Sequence, residues 1–400
     1  MSFQSLAIDG GAPVRTAPFP EWPIHGDREE QLLLEVLRSG KWSIFNGDKV
    51  KTFQEKFAAY QGARFAVCAP NGTLALQMAL MALGVGPGDE VLVPAYTFIA
   101  TVSAALLLGA RPVFVDIDPD SYTMDPAGIA AAVTSKTKVV IPVHLAGRPA
   151  DMDGILSAAK KYGLRVLEDA CQAWGAEWRG QRVGALGDLG AFSFQLSKNI
   201  TAGEGGALIT NDPGLHEVCW SIHNVGRSRT GAWYHHEILG WNLRMTEWQG
   251  AILLAQIERL DEHAARRERN ARYLGEALSA IPGISPLPGD PRVTRHAWHL
   301  MIVRYDPARF GNRPVDDFVA ALSAEGITPL SRGYVPLHHS PAIRKAIQAT
   351  FGADPAQTSL PWTERAADRT FWLAQNIFLG DTEDMDDIAE AIHKIQRAWG

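Results

Sequence analysis

Short apolar runs alternate with helical segments through the first half of the chain, and this alternation limits the possible folds more than any other feature. Helical patterns over residues 73–83 and 152–161 are interspersed with strand-like runs at residues 91–93, 113–115, 139–141, 166–167 and 207–209. Strands that are apolar on both faces and joined by crossover helices form a mainly parallel sheet. The sequence therefore predicts an α/β fold.

The patterns on either side of this region predict an arm and a second domain. Prolines and glycines crowd the first two dozen residues, which favours an extended arm over residues 1–27. An amphipathic stretch over residues 246–278 is typical of a helix that connects a large domain to a smaller one. A strand at residues 300–305, followed by helical patterns, predicts a small α+β domain. We therefore expect a large domain over residues 28–265 and a small C-terminal domain over residues 266–400.

The composition excludes several classes of protein. Of 400 residues, 20% are charged, the formal net charge is −6, and Lys and Arg are scattered, so no nucleic-acid partner is expected. The three cysteines, Cys68, Cys171 and Cys219, are widely spaced and form no CxxC pair, which favours a reducing compartment. The N-terminus lacks a signal-peptide pattern, and the most apolar stretch, near residues 100–110, is too short to span a bilayer. We expect a cytoplasmic protein without a membrane segment.

Lys198 has the setting that says most about chemistry. It follows an apolar segment that carries Ser193, and it precedes a glycine-rich turn at residues 203–206. A lysine at the edge of a core loses its proton readily, because burial lowers its pKa. A neutral lysine amine attacks aldehydes, and pyridoxal 5'-phosphate (PLP) is the aldehyde that proteins most often offer it. The alternative is an exposed loop lysine beside a glycine-rich turn.

A phosphate-binding turn is predicted where the chain enters the helix after residue 71. Gly72 lets the backbone approach a ligand, Thr73 adds a hydroxyl group, and a helix N-terminus attracts an anion. Ser193 can give the phosphate a second hydroxyl group. The alternatives are simple helix capping by this turn and, for Ser193, a polar strand residue that bonds the backbone.

Three further residues are candidates to hold the ring of the cofactor. Asp169 ends a predicted strand, where α/β sheets bind their ligands, and its carboxylate can pair with the pyridinium nitrogen. Gln172 can bond the phenolic oxygen, and Phe98 can cover the ring face. The alternatives are a turn-capping acid for Asp169 and an ordinary core residue for Phe98.

The order of these motifs along the chain resembles that of the fold-type I PLP enzymes, and in detail it resembles the DegT/DnrJ/StrS aminotransferases. The resemblance covers most of the chain. It rests on Glu168-Asp169-Ala170-Cys171-Gln172-Ala173, Gly187-Asp188-Leu189, Phe192-Ser193-Phe194, Lys198 and Gly203-Glu204-Gly205-Gly206. These proteins are the sugar and cyclitol aminotransferases of antibiotic and surface-polysaccharide pathways. The resemblance implies a PLP-dependent transferase fold with a large domain and a small C-terminal domain.

The same resemblance implies a role for each candidate residue. Lys198 is expected to form the Schiff base with PLP, and Asp169 is expected to contact the pyridinium nitrogen. Gln172 is expected to contact the phenolic oxygen, and Phe98 is expected to cover the ring face. The phosphate is expected to be bound by Gly72, Thr73 and Ser193. No role for a metal is implied.

Family members of this kind form homodimers with shared active sites. The second subunit sends an asparagine to the phosphate. In this chain Asn242, within Gly240-Trp241-Asn242-Leu243-Arg244, occupies that motif. The resemblance therefore implies a homodimer in which each site is built from two chains.

Within the family, two segments resemble the glutamine:scyllo-inosose aminotransferases and the 3-amino-5-hydroxybenzoate synthases. They are the arm segment Phe19-Pro20-Glu21-Trp22-Pro23 and the run of residues 196–206. This subgroup acts on carbocyclic rather than nucleotide-linked substrates. The implied reaction moves an amino group from glutamine or glutamate to a keto-sugar or keto-cyclitol in secondary-metabolite or polysaccharide biosynthesis.

Other functions remain open on the same core. A PLP lyase or dehydratase resembling the 3-amino-5-hydroxybenzoate synthases is one, and an aminotransferase for nucleotide-linked keto-sugars is another. A related dehydratase group has histidine where this chain has Lys198, which counts against dehydration. A PLP-binding transcription regulator needs a basic helix-turn-helix, for which the short arm leaves no room. A partner-binding protein with a dead site is disfavoured because Lys198 and Asp169 are intact.

Substrate contacts are predicted from charged residues near the expected site. His144 follows a predicted strand, and Arg227 and Arg332 can bind a carboxylate or hydroxyl groups. The alternatives are a satisfied sheet-edge histidine and solvated arginines. The adjacent histidine pairs at residues 235–236 and 338–339 lack the i,i+4 spacing common in helical metal sites, so no metal site is expected.

Overall fold

The computed structural model describes residues 5–400, and its large domain is built on a seven-stranded sheet. The strands of this domain are β1 (Phe65–Ala69), β2 (Glu90–Pro94), β3 (Arg111–Val115), β4 (Thr137–Val140), β5 (Arg165–Asp169), β6 (Glu177–Trp178), β7 (Gln181–Arg182), β8 (Leu189–Ser193) and β9 (Gly206–Thr210). The large sheet has the order β1-β9-β8-β5-β4-β2-β3, and β6 and β7 form a separate hairpin. The expected α/β fold with a mainly parallel sheet is confirmed.

Helices cover both faces of the sheet, which explains why its strands are apolar on both sides. They are α1 (Asp27–Ser39), α2 (Lys49–Tyr60), α3 (Gly72–Ala82), α4 (Ala100–Leu106), α5 (Pro126–Ala132), α6 (Met152–Tyr162), α7 (Pro213–His223) and α8 (Glu247–Glu258). Phe57 and Met152 belong to the core on the face covered by α2 and α6, and Leu76 and Val102 to the core under α3 and α4.

One strand of the sheet runs against the others, and this reversal positions the Lys198 loop. β9 pairs antiparallel with both β1 and β8. The connection from β8 to β9 is the loop of residues 194–205, and a connection without a crossover helix returns the chain in the opposite direction. The loop therefore lies at the carboxyl end of β8, beside the N-terminus of α3. Gly206 permits this, because a Cβ atom there would lie 2.4 Å from the backbone oxygen of Asn71.

The C-terminal part forms the expected small α+β domain. Its strands are β10 (Ile284–Pro286), β11 (Val293–Arg295), β12 (Leu300–Tyr305), β13 (Leu330–Ser331) and β14 (Thr370–Ala374), and all but β11 form an antiparallel sheet of order β10-β12-β14-β13. Its helices are α9 (Leu260–Ser279), α10 (Val315–Ala324), α11 (Pro341–Phe351), α12 (Pro361–Asp368) and α13 (Thr382–Trp399). Phe318, Phe371 and Ile392 are fully buried in its core.

The stretch that the sequence predicted as one connecting helix is two helices, α8 and α9, separated at Arg259. Arg259 has φ −109° and ψ 5°, outside the helical region. Leu253 on α8 packs in the large-domain core, whereas Leu274 on α9 packs in the small-domain core. The break lets each helix follow its own core, and the predicted domain boundary after residue 265 falls within α9. Within residues 5–400, none of the helices is long and apolar enough to cross a membrane.

The N-terminal arm joins the two domains beside the Lys198 loop. Trp22 Nε1 donates a hydrogen bond to the backbone oxygen of Leu196 (2.7 Å), two residues before Lys198. Asn376 Nδ2, after β14, donates to the backbone oxygen of Pro20 (2.9 Å). The arm thus bridges the small domain and the loop that carries Lys198.

Candidate active site

The predicted cofactor residues converge at the carboxyl ends of neighbouring strands. Asp169 is the last residue of β5, and Ser193 is the last residue of the adjacent strand β8. α3 begins directly against them, because a Cβ atom on Gly72 would lie 2.8 Å from Ser193 Cβ and 3.0 Å from Cys171 Sγ. Gly72 therefore allows a close approach of the helix N-terminus to the sheet.

The N-terminus of α3 has the geometry of an anion site. Asn71 caps the helix, since its side chain accepts a hydrogen bond from the Leu74 backbone N–H (2.9 Å). Capping and ligand binding coexist here, because the N–H groups of Gly72 and Thr73 precede that capped turn. Ser193 lies opposite, and its Oγ accepts from the Gln195 N–H (3.3 Å), which leaves the hydroxyl proton to donate to a ligand.

Asp169 is a buried carboxylate held by two donors. Thr101 Oγ1 donates to Asp169 Oδ2 (2.7 Å), and the Cys171 backbone N–H donates to Oδ1 (3.2 Å). Thr97 Oγ1 lies 3.1 Å from Thr101 Oγ1, and this hydrogen bond fixes the Thr101 hydroxyl that contacts Asp169. Thr101 was not predicted from the sequence, because its contact with Asp169 joins residues 68 positions apart. The carboxylate keeps lone pairs free for a ring nitrogen.

Lys198 is half-buried in the loop after β8, close to Asp169 and Cys171. Burial lowers the pKa of the Lys198 amine, against the opposing influence of Cys171 and Asp169. Burial and the Asp169 charge raise the pKa of the Cys171 thiol well above its usual value, so the thiol stays protonated. Lys198 therefore gives up its proton more readily than an ordinary lysine, which suits a nucleophilic amine.

The residues around Lys198 fix its loop. Asn199 is buried and donates from Nδ2 to the backbone oxygen of Ala297 (2.7 Å), while its Oδ1 accepts from His299 Nδ1 (3.1 Å). Thr201 Oγ1 donates to the backbone oxygen of Phe194 (3.0 Å). Burial and the nearby Lys198 charge hold the pKa of His299 well below its usual value, so its ring is neutral. His299 was not predicted from the sequence.

Gln172 already has partners on both ends of its amide. Its Oε1 accepts from the Ala146 backbone N–H (2.6 Å), and its Nε2 donates to Tyr334 Oη (2.9 Å). Tyr334 comes from the small domain, and its ring centroid lies 6.2 Å from that of Phe98, which is half-exposed. Burial raises the pKa of Tyr334, so its hydroxyl stays protonated. Phe98 and Tyr334 therefore flank the cleft that Gln172 enters, and Tyr334 was not predicted.

The structure buries His144 beneath the strand ends. Its side chain is fully buried, with Nε2 donating to Glu168 Oε2 (2.9 Å) and Nδ1 accepting from the Ala150 backbone N–H (3.0 Å). The turn at Leu145–Gly147 includes Ala146 at φ 60° and carries the chain across the strand ends. With both ring nitrogens paired, His144 orients Glu168, and a direct contact with substrate stays a prediction.

The two predicted arginines behave differently. Arg332 is exposed and forms ion pairs with two carboxylates of the small domain, Asp316 (2.7 Å) and Asp368 (3.2 Å), and a substrate role for it stays a prediction. Arg227 lies in an exposed loop, where Nε donates to the backbone oxygen of Trp233 (2.7 Å) and the guanidinium covers the Trp233 ring at 4.1 Å. A substrate role for Arg227 stays a prediction.

Asn242 lies outside the cluster, on an aromatic surface. It is exposed and pairs through the backbone with Asn224, next to Trp241, which is 42% exposed. The surrounding exposed apolar residues are Trp42, Phe45, Trp233, Tyr234, Ile238 and Leu239. Its place in this chain's surface is compatible with the expected contact to a second subunit.

The histidines at residues 338 and 339 meet a partner that the sequence did not suggest. His338 Nε2 and His339 Nε2 each lie 3.3 Å from Glu364 Oε1, which is on α12. The three ligand atoms lie within 4.8 Å of one another. The carboxylate accepts hydrogen bonds from both rings, and the absence of a metal site stays a prediction.

These residues fit a phosphorylated pyridine aldehyde. A helix N-terminus and hydroxyl groups suit its phosphate, a buried carboxylate suits its ring nitrogen, and an amine with a lowered pKa suits its aldehyde. The fold and this arrangement define the class as the fold-type I PLP-dependent enzymes.

Comparisons with known proteins agree. The chain is 38% identical to the L-glutamine:2-deoxy-scyllo-inosose aminotransferase of Streptoalloteichus tenebrarius, over 99% of this chain and 98% of that one. Its fold matches the crystal structure of 3-amino-5-hydroxybenzoic acid synthase with a TM-score of 0.88 and 36% identity, over 96% of this chain and 100% of that one. It also matches NtdA from Bacillus subtilis, solved with bound cofactor PMP, with a TM-score of 0.83 and 27% identity, over 96% and 85% of the two chains.

Residues 23–393 match the model of the DegT/DnrJ/EryC1/StrS aminotransferase family, and the chain belongs to that family. It is a PLP-dependent aminotransferase.

Proposed function

We propose that this aminotransferase moves the amino group of L-glutamine to a keto-cyclitol in secondary-metabolite biosynthesis. The observation that carries the reaction class is the Lys198 amine, with its lowered pKa, beside the buried Asp169 carboxylate. The choice of donor and acceptor is supported by the name of the scyllo-inosose aminotransferase that aligns over nearly the whole chain. The three free cysteines fit the cytoplasm as the compartment.

The chain's own residues divide the binding of PLP among them. Gly72 and Thr73 at the N-terminus of α3, together with Ser193, hold the phosphate. Asp169 pairs with the ring nitrogen, with Thr101 fixing its carboxylate (2.7 Å). Phe98 would cover the ring, and Gln172, held by Ala146 and Tyr334, would donate the second hydrogen of its Nε2 to the phenolic oxygen. Bound PLP supplies the aldehyde that accepts an amino group and the ring that withdraws electrons.

Lys198 moves the protons of the reaction. Its Nζ would hold the cofactor in the resting enzyme, and burial lowers the pKa of the amine, which would keep it partly neutral when it is free. The neutral amine would take the proton that leaves the α-carbon of the donor and pass it to the cofactor, and in the second half-reaction it would carry a proton from the cofactor to the acceptor carbon. The loop bonds of Asn199 and Thr201 keep Lys198 in place between the two transfers.

The donor and acceptor are tested together by isotope transfer. PLP-loaded protein is mixed with 2-deoxy-scyllo-inosose and with L-glutamine that carries 15N at its α-amino group. The masses of the products are then measured by mass spectrometry. The proposal predicts a 15N-labelled amino-cyclitol, and Lys198→Ala is predicted to form none. The reaction is repeated with a nucleotide-linked keto-sugar in place of the cyclitol. Labelled product from that sugar, with none from the cyclitol, would show that the acceptor is a nucleotide-linked keto-sugar.

The second candidate is synthesis of an aminobenzoate by loss of water. It is favoured by the match to 3-amino-5-hydroxybenzoic acid synthase at a TM-score of 0.88. An amino-substituted cyclic keto acid is the diagnostic substrate, because its aromatisation creates ultraviolet absorbance that transamination of a cyclitol does not. Growth of that absorbance without labelled amino-cyclitol would favour this candidate over the first.

We also propose a homodimer with shared sites, supported by the exposed aromatic surface around Asn242. In this assembly Asn242 of one chain reaches the phosphate bound by the other chain. A carboxylate at that position repels the phosphate, so Asn242→Asp is predicted to be inactive. Mixing it with inactive Lys198→Ala chains places both defects in one site of a mixed dimer and leaves the other site intact.

Activity is therefore predicted to rise after subunit exchange. Asn312→Asp is the matched control, because Asn312 is an exposed asparagine far along the chain, and it is predicted to leave activity unchanged. No rise despite proven exchange, or a fully active monomer, would contradict the shared site.

A further inference from the structure

A second cavity lies behind the peptide that fixes Gln172. Its volume is about 600 Å³, and its walls include Leu145, Ala146 and Arg148 of the large domain, with α9 and residues 286–302 on the other side. Lys198 and Asp169 are not part of its walls. The Ala146 backbone N–H that faces the active site donates to Gln172 (2.6 Å). The size is that of a site for a small metabolite.

Arg148 brings a charge into this cavity, and within residues 5–400 it forms no direct ion pair with a carboxylate. Its side chain is only 8% exposed, and Nη1 donates to the backbone oxygen of Pro288 (2.7 Å). Its Nε is buried and has no hydrogen-bond partner among residues 5–400. Burial lowers the pKa of the guanidinium, against the opposing influence of the Asp290, Asp118 and Asp120 charges. A buried guanidinium is costly unless an acceptor pairs with it.

The other arginines of the cavity wall are already paired, which sets Arg148 apart. Arg272 bonds Glu268 on α9, and Arg295 bonds Asp261 (2.6 Å). The carboxylate of Asp290, another wall residue, is taken by Arg292 (2.8 Å). Of the wall carboxylates, Glu268 and Asp290 are therefore taken by other arginines, and Glu276 is exposed to solvent.

His296 adds a second donor beside Arg148. Its Nδ1 accepts from the Trp298 backbone N–H (2.8 Å), which assigns the ring proton to Nε2. The ring stacks on Trp298 with centroids 4.0 Å apart. Burial and the Arg148 charge hold the pKa of His296 well below its usual value, so the ring is a neutral donor. The wall thus carries two donor groups and an aromatic surface, a combination suited to an organic anion.

We propose that this cavity binds a small organic anion, a carboxylate or a phosphate ester, whose acidic group is held by Arg148 and His296. The organic part lies against Trp298 and the apolar wall at Leu145 and Leu287. This site is separate from the aminotransferase site, from which the Ala146 peptide divides it.

The test measures anion binding to the PLP-loaded protein, in which the cofactor's own phosphate site is filled. The probes are cyclohexanecarboxylate and phenyl phosphate, with cyclohexanecarboxamide as the uncharged control, and sodium chloride keeps the ionic strength constant. Calorimetry and thermal unfolding are both followed. The wild type is predicted to bind at least one anion saturably and to ignore the amide, and the tighter of the two anions identifies the acidic group.

Two variants decide whether the binding is in this cavity. Arg148→Met is predicted to weaken it about 10- to 150-fold, as for loss of a charge-assisted hydrogen bond. Arg272→Met removes a wall arginine that is already paired and exposed, and it is predicted to change the affinity by no more than about twofold. Equal loss in both variants, or no saturable binding of either anion by the wild type, would overturn the proposal.

The unfolding temperature in anion-free buffer shows whether Arg148 serves ligand binding or the stability of the fold. An arginine kept for the fold destabilises the protein when it is replaced. An arginine kept for a ligand does not, because Met fills a similar volume without a buried charge. Arg148→Met is therefore predicted to unfold at the same temperature as the wild type or a higher one in anion-free buffer. A clear fall in its unfolding temperature would show that Arg148 serves the fold.

Discussion

Gly72→Ala is predicted to weaken cofactor binding through overpacking of the phosphate turn. The added Cβ atom would lie 2.8 Å from Ser193 Cβ and 3.0 Å from Cys171 Sγ, whereas relaxed carbon contacts are about 3.5–4.0 Å. Ser193 cannot move away cheaply, because its neighbours Phe192 and Phe194 are fully buried. Overpacking of this kind costs about 1–3 kcal/mol. If the strain is released by opening the turn, the dissociation constant of PLP rises about 5- to 150-fold.

The assay is a fluorescence titration of the cofactor-free protein with PLP, alongside circular dichroism to confirm that the fold is intact. Gly86→Ala is the matched control, since a Cβ atom there meets nothing within 4 Å, and it is predicted to bind PLP as the wild type does. A Gly72→Ala protein with wild-type affinity and wild-type unfolding temperature would refute the close packing of α3 against β8.

Three further predictions follow from the same contacts. Asp169→Asn is predicted to slow transamination about a hundredfold or more, because an amide cannot keep the ring nitrogen protonated. Its unfolding temperature is predicted to fall little. A rate within about threefold of wild type would show that Asp169 only caps a turn. Tyr334→Phe removes the acceptor of Gln172 Nε2 (2.9 Å) and is predicted to cost up to about tenfold in rate, measured with far-ultraviolet circular dichroism as the control for folding. Burial lowers the pKa of His223 to about 4, below the ordinary value of 6.5. Between these two pH values the unfolded chain binds a proton on His223 that the folded protein does not bind. The free energy of unfolding therefore decreases as the pH falls from about 6.5 towards 4. The loss is at most about 3 kcal/mol, and His223→Gln is predicted to flatten that part of the urea-measured stability profile by the same amount.

The sequence predicted the parts of the site that lie at strand ends. Asp169 and Ser193 end β5 and β8, and Gly72 opens a helix, so the rule that ligands sit beyond the carboxyl ends of strands was enough to bring them together. The parallel sheet itself followed from runs that are apolar on both faces. These features are local in the sequence, which is why they were readable.

The rest of the site depends on contacts between distant segments. Tyr334 bonds Gln172 across 162 positions of the chain, and His299 bonds Asn199 across 100, so no local pattern pairs them. His144 also follows a strand, but the turn at Leu145–Gly147 and the carboxylate of Glu168 take its ring into the core. Sequence position showed that His144 was near the site, and only the packing showed which way its ring points.

The central claim is that Lys198 carries the cofactor, and borohydride reduction tests it most directly. Sodium borohydride locks PLP onto whichever lysine holds it, and peptide mapping by mass spectrometry then locates the modified residue. The account predicts a pyridoxyl group on Lys198 alone, and none on any lysine in Lys198→Ala, although that variant still binds PLP through its phosphate turn. A reduced pyridoxyl group found on another lysine of the wild-type protein would contradict the account.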